Sequence, residues 1–294
     1  MQNQGKAYLY GLGTVLLWST VASAFKLSLE HLNHVQLLFY SSLFSSAALA
    51  LLLGIQGRLR LIFSYSRRQN LQSVWLGFLN PFLYYLVLFK AYDLLPAQEA
   101  QALNYTWAMA MALLSIPLLG QKIGRQDLAA ILVSYAGVVV ISTRGDVFSW
   151  NFSNKFGAAL ALGSTVIWAL YWIFNTKDAR DPAVGLLLNF LCGLPFILIY
   201  GVLFSDLWPV NGPGIVGAAY VGFFEMGLTF ALWLSALKYS ENTAKVGNLI
   251  FLSPFLSLVL IHYFVGEEIL PSTFVGLSLI IMGQAVQRIR RRRA

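Results

Sequence analysis

Glu225 is the residue whose type and surroundings have the clearest chemical consequence. It lies in an apolar stretch from Phe223 to Gly227, and neither Asp206 nor Lys238 is near enough in the sequence to share its helix face. A carboxylate in such surroundings needs a cationic partner or water, and otherwise it is protonated. Glu225 can therefore bind an ammonium group or carry a proton. The alternative is a protonated side chain that hydrogen bonds to another helix.

A ladder of polar and aromatic residues follows Pro96. Gln101, Asn104 and Ala108 share one helix face by their i, i+3, i+7 spacing. Polar groups within apolar segments are costly and often functional. We predict that Gln101, Asn104 and Trp107 line a binding cavity.

Glu99 and Lys245 are two further charged candidates, and they lie 146 residues apart (245 − 99). Glu99 falls in the first turn of its helix, where the helix dipole favours a carboxylate. Its alternative role is a helix-end charge among lipid headgroups. Lys245 lies near the start of its predicted helix, where the helix dipole is unfavourable to a cation. It therefore either extends to the membrane surface or binds a substrate carboxylate. With Glu225, these two residues are the predicted groups for ion or proton coupling.

Aromatic and amide side chains complete the candidate set. Aromatic walls suit flat or apolar side chains and attract ammonium groups through cation–π contacts. Proline after Asn80 frees a backbone carbonyl that a cavity can use, although a kink without a ligand is the alternative. The remaining predicted cavity residues are Trp18, Asn80, Tyr84, Trp168, Tyr171 and Asn248. Packing or lipid contact is the alternative role of the aromatic residues.

The sequence lacks the residue patterns that metal binding, nucleotide binding and enzyme catalysis need. His31-x-x-His34 has no Cys, Asp or third His nearby to complete a metal site. The sequence contains no His-Glu-x-x-His, no nucleophile elbow and no phosphate-binding loop, which argues against an ATP-driven pump. We therefore predict no metal, no cofactor and no enzymatic activity.

The composition indicates that membrane helices position these residues. The chain has 294 residues, 58% of them hydrophobic and 11% charged, whereas about 25% are charged in a typical soluble domain. The mean hydropathy is +0.67. The net charge of +8 would suggest nucleic acid in a soluble protein, but the basic residues here flank apolar segments and report topology. We predict a lipid bilayer as partner and no nucleic acid.

Ten apolar segments are close to the length of about 20 residues that a membrane-spanning helix needs. Their apolar runs are continuous rather than alternating, which favours helices over barrel strands. The predicted spans are 8–28, 35–55, 71–92, 96–119, 127–143, 156–176, 183–204, 214–237, 243–264 and 272–288. The predicted fold class is an all-α polytopic membrane protein with ten transmembrane helices.

The distribution of basic residues predicts the orientation. With a cytoplasmic N-terminus, sixteen of the 20 Lys and Arg lie in inside segments, and the four outside are Lys26, Lys90, Arg144 and Lys155. This is a clear positive-inside bias. We predict both termini in the cytoplasm, an inner (plasma) membrane location, and a basic tail after Arg288 that contacts lipid headgroups.

The chain repeats itself at about half its length. Gly120 aligns with Gly266 at an offset of 146 (266 − 120), and Gly13–Trp18 matches Gly163–Trp168 at an offset of 150 (163 − 13). The second match argues that the first helix is retained and is not a cleaved signal peptide.

Five helices in each half is an odd number, so the two halves must enter the membrane from opposite sides. We predict inverted repeats, 1–145 and 146–294, with a site near the midplane that rocking exposes to each side in turn. The alternative is a duplicated scaffold without a transport role. Small residues at equivalent positions, Ala130/Gly137 and Gly276/Gly283, predict close packing of helices 5 and 10.

The ordered set of local motifs resembles the drug/metabolite transporter superfamily and, within it, the EamA-type ten-helix carriers. One motif is the pair of segments in helices 1 and 6 that run up to Trp18 and Trp168. The others are the ends of helices 4 and 9 at 120–122 and 266–268, and Ala236-Leu237-Lys238-Tyr239. The resemblance covers essentially the whole chain. It implies a basket of helices 1–4 and 6–9 around a central cavity, with helices 5 and 10 as a supporting pair.

Two stretches, 103–107 and 167–180, give a closer resemblance to bacterial aromatic amino acid exporters of this superfamily. Those exporters usually show Asn-Tyr-Leu-Trp-Pro on helix 4, whereas Thr106 replaces the Leu and Ala108 replaces the Pro here. The resemblance implies a monomeric carrier that exports small amphipathic metabolites, amino acids foremost, by alternating access. The alternatives are a nucleotide-sugar, drug or lipid-linked substrate carrier of the same superfamily, and a non-transporting scaffold.

Overall fold

The computed structural model describes residues 3–120, 124–148, 153–175, 178–240 and 249–291. Within these ranges the regular structure is entirely helical, with no strand. The predicted all-α class is therefore confirmed. The helices are named α1 to α10 below in chain order, and a helix that contains an internal break keeps one name.

The first five helices lie before residue 145. They are α1 (Gln4–Leu29), α2 (His34–Ile55), α3 (Arg67–Leu94), α4 (Ala97–Leu119) and α5 (Arg125–Ser142). A short 3-10 turn, Leu59–Phe63, lies between α2 and α3. These bounds agree with the five predicted spans to within a few residues.

The second five helices follow in the same manner. They are α6 (Lys155–Asn175), α7 (Pro182–Phe204), α8 (212–239), α9 (Ile250–Val265) and α10 (Pro271–Arg291). The predicted ninth span began at 243, and its positions 243–248 lie outside the described residues.

In the part of the chain that the structure describes, six helices are long and apolar enough to cross a membrane, namely α1, α2, α3, α4, α6 and α7. Shorter apolar helices occur at Leu128–Ser142, Ile250–Val265 and Pro271–Val286. The ten predicted spans are thus confirmed for six helices, and the other four remain predictions.

Local sequence signals explain where helices begin and end. Asn33 and Gln36 form a capping box at the start of α2, and Ser66 and Gln69 form one at the start of α3. The side chain of Asp181 caps α7, whose first residue is a proline.

The aligned glycines of the sequence repeat each end a helix in the same backbone conformation. Gly120 ends α4 with a φ of 65°, and Gly266 ends α9 with a φ of 78°. Only glycine takes this left-handed conformation without steric cost, and it is common just past a helix end.

Four of the helices in the described residues contain internal irregular segments, and in α9 these are a 3-10 turn at Ile250–Leu252 and a π-helical segment at Ile261–Val265. In α3, the π-helical segment Phe78–Leu83 contains Asn80 in an extended conformation, as expected for a residue that precedes a proline. In α8, a π-helical segment covers Val221–Leu228. In α4, regular helix stops at Asn104 and resumes at Trp107. Such breaks free backbone groups and occur frequently at functional sites.

The helix contacts follow a pattern that is unchanged when the two halves are exchanged. Helix α1 packs against α8 and α9, and α6 packs against the equivalent α3 and α4. Helix α2 packs against α8, and α7 packs against α3. Helices α2 and α7 also pack against each other, as do α5 and α10, and each of these pairs consists of equivalent helices from the two halves.

Helices α5 and α10 approach closely through the predicted small residues. A Cβ added at Gly137 would overlap the carbonyl oxygen of Gly276, and one added at Gly276 would overlap that of Gly137. A Cβ added at Gly283 would overlap Ala130 and Ser134 in the same way. The predicted close packing of these two helices is confirmed, and their backbones leave no room for larger side chains.

We expect Gly137→Ala to lower the stability of the protein, because the new methyl group must push α5 and α10 apart. Overpacking of this kind costs roughly 1–3 kcal/mol. Gly13→Ala on α1 is the matched control, because its added methyl meets no atom within 4 Å. The control should be neutral or slightly stabilising, since alanine is the better helix former. Thermal unfolding in detergent measures both, and equal melting temperatures would contradict this account of the α5–α10 contact.

Candidate functional site

A continuous row of aromatic rings joins four helices from the two halves. Trp168 of α6 stacks on Tyr84 of α3 with ring centroids 4.4 Å apart. Phe230 of α8 lies 6.3 Å from Trp168 and 5.7 Å from Trp18 of α1. Tyr171 also stacks with Trp168, with ring centroids 5.5 Å apart. The structure therefore brings together the four aromatic residues predicted from α1, α3 and α6.

Tyr85 connects Glu225 to this row of aromatic rings. The hydroxyl of Tyr85 donates a hydrogen bond to Glu225 Oε1 at 3.2 Å, and the Tyr85 and Tyr84 rings are 4.8 Å apart. Tyr85 is only 1% exposed, whereas Glu225 retains part of its accessible surface. The π-helical segment of α8 carries Glu225, so one irregular element presents the carboxylate. Among the described residues, no Lys or Arg forms an ion pair with it.

A second polar chain runs from α3 to α6 through α4. The Tyr84 hydroxyl lies 3.5 Å from Asn104 Oδ1, and Asn104 Nδ2 donates to Ser164 Oγ at 3.0 Å. Asn104 is the last residue before the break in α4. The break therefore places an amide group of the first half beside the aromatic row.

A buried amide pair lies at the contact between α3 and α7. Oδ1 of Asn80 and both polar side-chain atoms of Asn189 have no hydrogen-bond partner within the described residues, and Asn189 is fully buried. The Tyr171 hydroxyl faces both amides and interacts with them electrostatically. Asn80 is thus linked to the aromatic row through Tyr171.

Two predicted residues of α4 lie against the protein core. Gln101 is buried, and its Oε1 has no hydrogen-bond partner in the part of the chain that the structure describes. Trp107 packs against the main apolar cluster. The predicted Lys245 and Asn248 lie outside the described residues.

Glu99 lies in a different site from Glu225. Its buried carboxylate pairs with Arg144 at 3.1 Å and also accepts a hydrogen bond from Ser153. It lines a cavity of about 420 Å³ together with Lys26, Gln98, Arg144, Glu267 and Glu268, among others. The structure therefore separates the carboxylates that the sequence grouped as coupling candidates.

Glu267 ties the second half of the chain to the start of α4. Its carboxylate accepts the backbone N–H groups of Ala97 at 2.6 Å and Gln98 at 3.2 Å, which suits the positive end of a helix. The Gln98 side chain accepts from Leu270 N and Thr273 Oγ1 and donates to the carbonyl of Glu268. Glu99 thus belongs to a well-bonded junction between the halves.

Comparison with known proteins assigns the family. The model of the EamA-like transporter family matches residues 5–143 and matches again over 155–287. The chain belongs to the EamA-like transporter family. An EamA protein is a multi-pass membrane transporter, which agrees with the apolar helices described above.

Relatives with names extend this assignment. The aromatic amino acid exporter YddG of Ancylobacter novellus is 27% identical over 99% of this chain and 100% of its own length. The uncharacterized transporter YvbV of Bacillus subtilis is 28% identical over 69% of this chain and 67% of its own. A solved crystal structure at 23% identity shares the fold, with a TM-score of 0.69 and 99% of both chains covered.

Sequence reasoning missed four residues of this EamA protein's candidate site: Tyr85, Ser164, Asn189 and Phe230. Tyr85 and Phe230 are uncharged and lie in no motif, and Ser164 lies in the Gly163–Trp168 motif without being singled out by it; all three contact side chains of other helices. Asn189 carries a signal that was available, because an amide within the apolar run of α7 is costly unless it is used.

The stretch that resembled the exporters, 167–180, ends in a buried ion pair. The Arg180 guanidinium donates to Asp178 at 2.6–2.9 Å and to Ser73 Oγ of α3 at 2.6 Å. The Arg180 side chain is fully buried and Asp178 nearly so. Burial raises the pKa of Asp178, but the hydrogen bonds and charge of Arg180 outweigh it, and the pKa lies below its ordinary value. This pair fastens the link between α6 and α7 to α3.

We expect Asp178→Asn to destabilise the protein strongly, because it leaves the buried Arg180 guanidinium without its counter-charge. Removing one member of a buried pair costs about 3–5 kcal/mol. Asp93→Asn is the matched control, since Asp93 pairs with Lys90 at an exposed position worth about 0–1 kcal/mol. Unfolding in detergent compares the two variants.

The same pair predicts a pH dependence. Because the folded-state pKa of Asp178 is lowered, its contribution is complete above the unfolded pKa of about 3.9 and is lost as the pH falls through the folded value. The wild-type protein should lose stability below about pH 4, and Asp178→Asn should show less of this loss. Identical acid profiles would argue against the ion pair.

Proposed function

We propose that this protein is a secondary transporter that exports small amphipathic metabolites, most directly amino acids, across the inner membrane by alternating access. The observation that carries the proposal is the Glu225–Tyr85 pair beside an aromatic row contributed by helices of both halves. A carboxylate and aromatic faces are the two features that recognise an ammonium group next to a flat or apolar side chain.

Glu225 is the group suited to the substrate ammonium. Within the described residues its carboxylate has one hydrogen bond, from Tyr85, and a carboxylate has further acceptor positions for a ligand. A cation next to it would compensate a charge that is costly within a membrane segment. The same carboxylate can carry a proton when the substrate leaves, so proton exchange and simple facilitated efflux are both open to this site.

The aromatic row is suited to the substrate side chain. Trp168 stacks with both Tyr84 and Tyr171, while Trp18 and Phe230 meet edge to face at an interplanar angle of 78°. Flat side chains stack on such surfaces, and aromatic pairs are worth about 0.5–1.5 kcal/mol beyond the burial of their area. The name of the YddG relative, an aromatic amino acid exporter, supports substrates of this kind.

The transport mechanism follows from the repeat. We propose five-helix repeats at 1–145 and 146–294, inverted with respect to each other, with ten spans and both termini in the cytoplasm. The double match of the family model and the exchange of helix contacts between the halves support this arrangement. Rocking of one half against the other then exposes the site near the midplane to each side in turn. A monomer suffices for this mechanism, with lipid and a small-molecule substrate as the partners.

We expect purified protein in liposomes to release labelled amino acids in a saturable manner, with aromatic ones released fastest. The liposomes are loaded with aromatic and aliphatic amino acids, and efflux is measured with and without a pH gradient. Acceleration by the gradient would assign proton exchange, whereas an unchanged rate would assign facilitated efflux. No flux above protein-free liposomes for any amino acid, from folded protein, would refute the exporter proposal in favour of the superfamily's other substrates.

We expect Glu225→Gln to reduce amino acid flux or to remove its pH dependence, because the amide cannot neutralise an ammonium group. Loss of a charged hydrogen-bond partner is worth about 1.5–3 kcal/mol, or roughly 10–100-fold in affinity. Glu30→Gln is the matched control, since Glu30 is exposed at the end of α1. A transporter that keeps its flux and pH profile in Glu225→Gln would show that Glu225 is only structural.

A further inference from the structure

The connection between α2 and α3, residues 56–66, exposes both apolar and basic side chains; we call it the α2–α3 loop. Its 3-10 turn alternates Leu59, Arg60 and Leu61 before Phe63. Phe63 is 86% exposed, and both leucines are exposed as well. Two helices long enough to span a membrane flank the loop, so the loop lies at the membrane surface.

Three of the four arginines in this region have no counter-charge among the residues that the structure describes. Residues 31–92 contain no Asp or Glu. Arg58 forms an ion pair with Asp181. Exposed Arg60, Arg67 and Arg68 form no ion pair or hydrogen bond with any residue that the structure describes. Three positive charges therefore face outward without a protein partner.

The loop is held in place, so these charges are fixed in position. Arg58 pairs with Asp181, and the backbone N–H of Asp181 donates to the Tyr65 hydroxyl at 3.4 Å. The Arg180 guanidinium lies 5.5 Å from the centre of the Tyr65 ring. These contacts fasten the loop to the link between α6 and α7.

We propose that the α2–α3 loop binds the headgroups of anionic lipids. Arginine matches phosphate through its planar fork of donors, and exposed aromatic and apolar residues enter the interfacial layer beside it. Arg67 and Arg68 also lie in the first turn of α3, where their charge opposes the helix dipole. A phosphate bound there relieves this repulsion.

Charge complementarity and the apolar side chains together select a lipid over a free anion. A soluble phosphate would meet the three arginines but would leave Phe63 and the two leucines in water. A lipid satisfies both groups, because its headgroup carries the negative charge and its acyl chains cover the apolar side chains. The site is independent of transport, and it gives the protein a preference for anionic bilayers.

The test measures binding of fluorescent phosphatidylglycerol and phosphatidylcholine to the full-length protein in neutral detergent. The wild type should prefer phosphatidylglycerol, and the triple variant Arg60→Gln/Arg67→Gln/Arg68→Gln should lose about fivefold in affinity per arginine, or about 100-fold in all. Phe63→Ser should weaken binding without removing the preference for the anionic lipid.

A double variant with unrelated positions, Lys90→Gln/Lys155→Gln, is the charge control and should bind like the wild type. If the triple variant does not fold, the single variant Arg60→Gln with its fivefold loss carries the test. Unchanged phosphatidylglycerol affinity in the arginine variants would overturn the proposal, as would equal binding of both lipids. Displacement of the lipid by inorganic phosphate at millimolar concentration would also overturn it, because the site would then bind a free anion.

Discussion

The structure depends on one constraint: a bilayer offers no water to a backbone or side-chain polar group, so the protein must satisfy each of them itself. Some serines meet it within their own helix, as when Ser19 donates to the carbonyl of Val15 and Ser28 to that of Ala24. At helix ends the same need is met across helices. Lys26 Nζ donates to the free carbonyls of Tyr92 and Leu95 at the end of α3. Glu267 accepts the free N–H groups at the start of α4, so the ends of these helices join the two halves.

Some departures from this constraint lie at the candidate site. The π-helical segments of α3 and α8 interrupt regular backbone bonding at the depth of Asn80 and Glu225. Unpartnered amide atoms of Asn80 and Asn189 lie beside the first segment. Leaving a buried polar atom unpaired costs about 1–3 kcal/mol, and a ligand or a change of conformation that supplied a partner to these amides would recover that cost.

The sequence predicts what depends on one helix at a time, and it fails where two helices must meet. Apolar length placed the spans, and the repeat placed Gly120 and Gly266 at equivalent helix ends. Glu225 and Trp168 were recognisable because a charge or a motif singles them out. Tyr85 was not, because its importance comes from a hydroxyl that reaches Glu225 140 positions away in the chain. The separation of Glu99 from Glu225 could not be predicted for the same reason, since the position of Arg144 relative to α4 is a property of the packing.

The two halves are similar in their helices but differ in chemistry at the site. Asn80 and Glu225 lie at equivalent positions, 145 residues apart (225 − 80), and both occupy π-helical segments. One is a neutral amide that faces Tyr171 and Asn189, and the other is a carboxylate that accepts from Tyr85. A symmetric scaffold with unlike groups at its paired positions recognises a ligand whose two ends differ. The amino acid proposed as substrate has this property, because an ammonium suits Glu225 while the uncharged amides and the aromatic row suit the rest of the molecule. In the proposed transporter, the repeat supplies the symmetry that alternating access needs, and the differences at single positions supply the specificity.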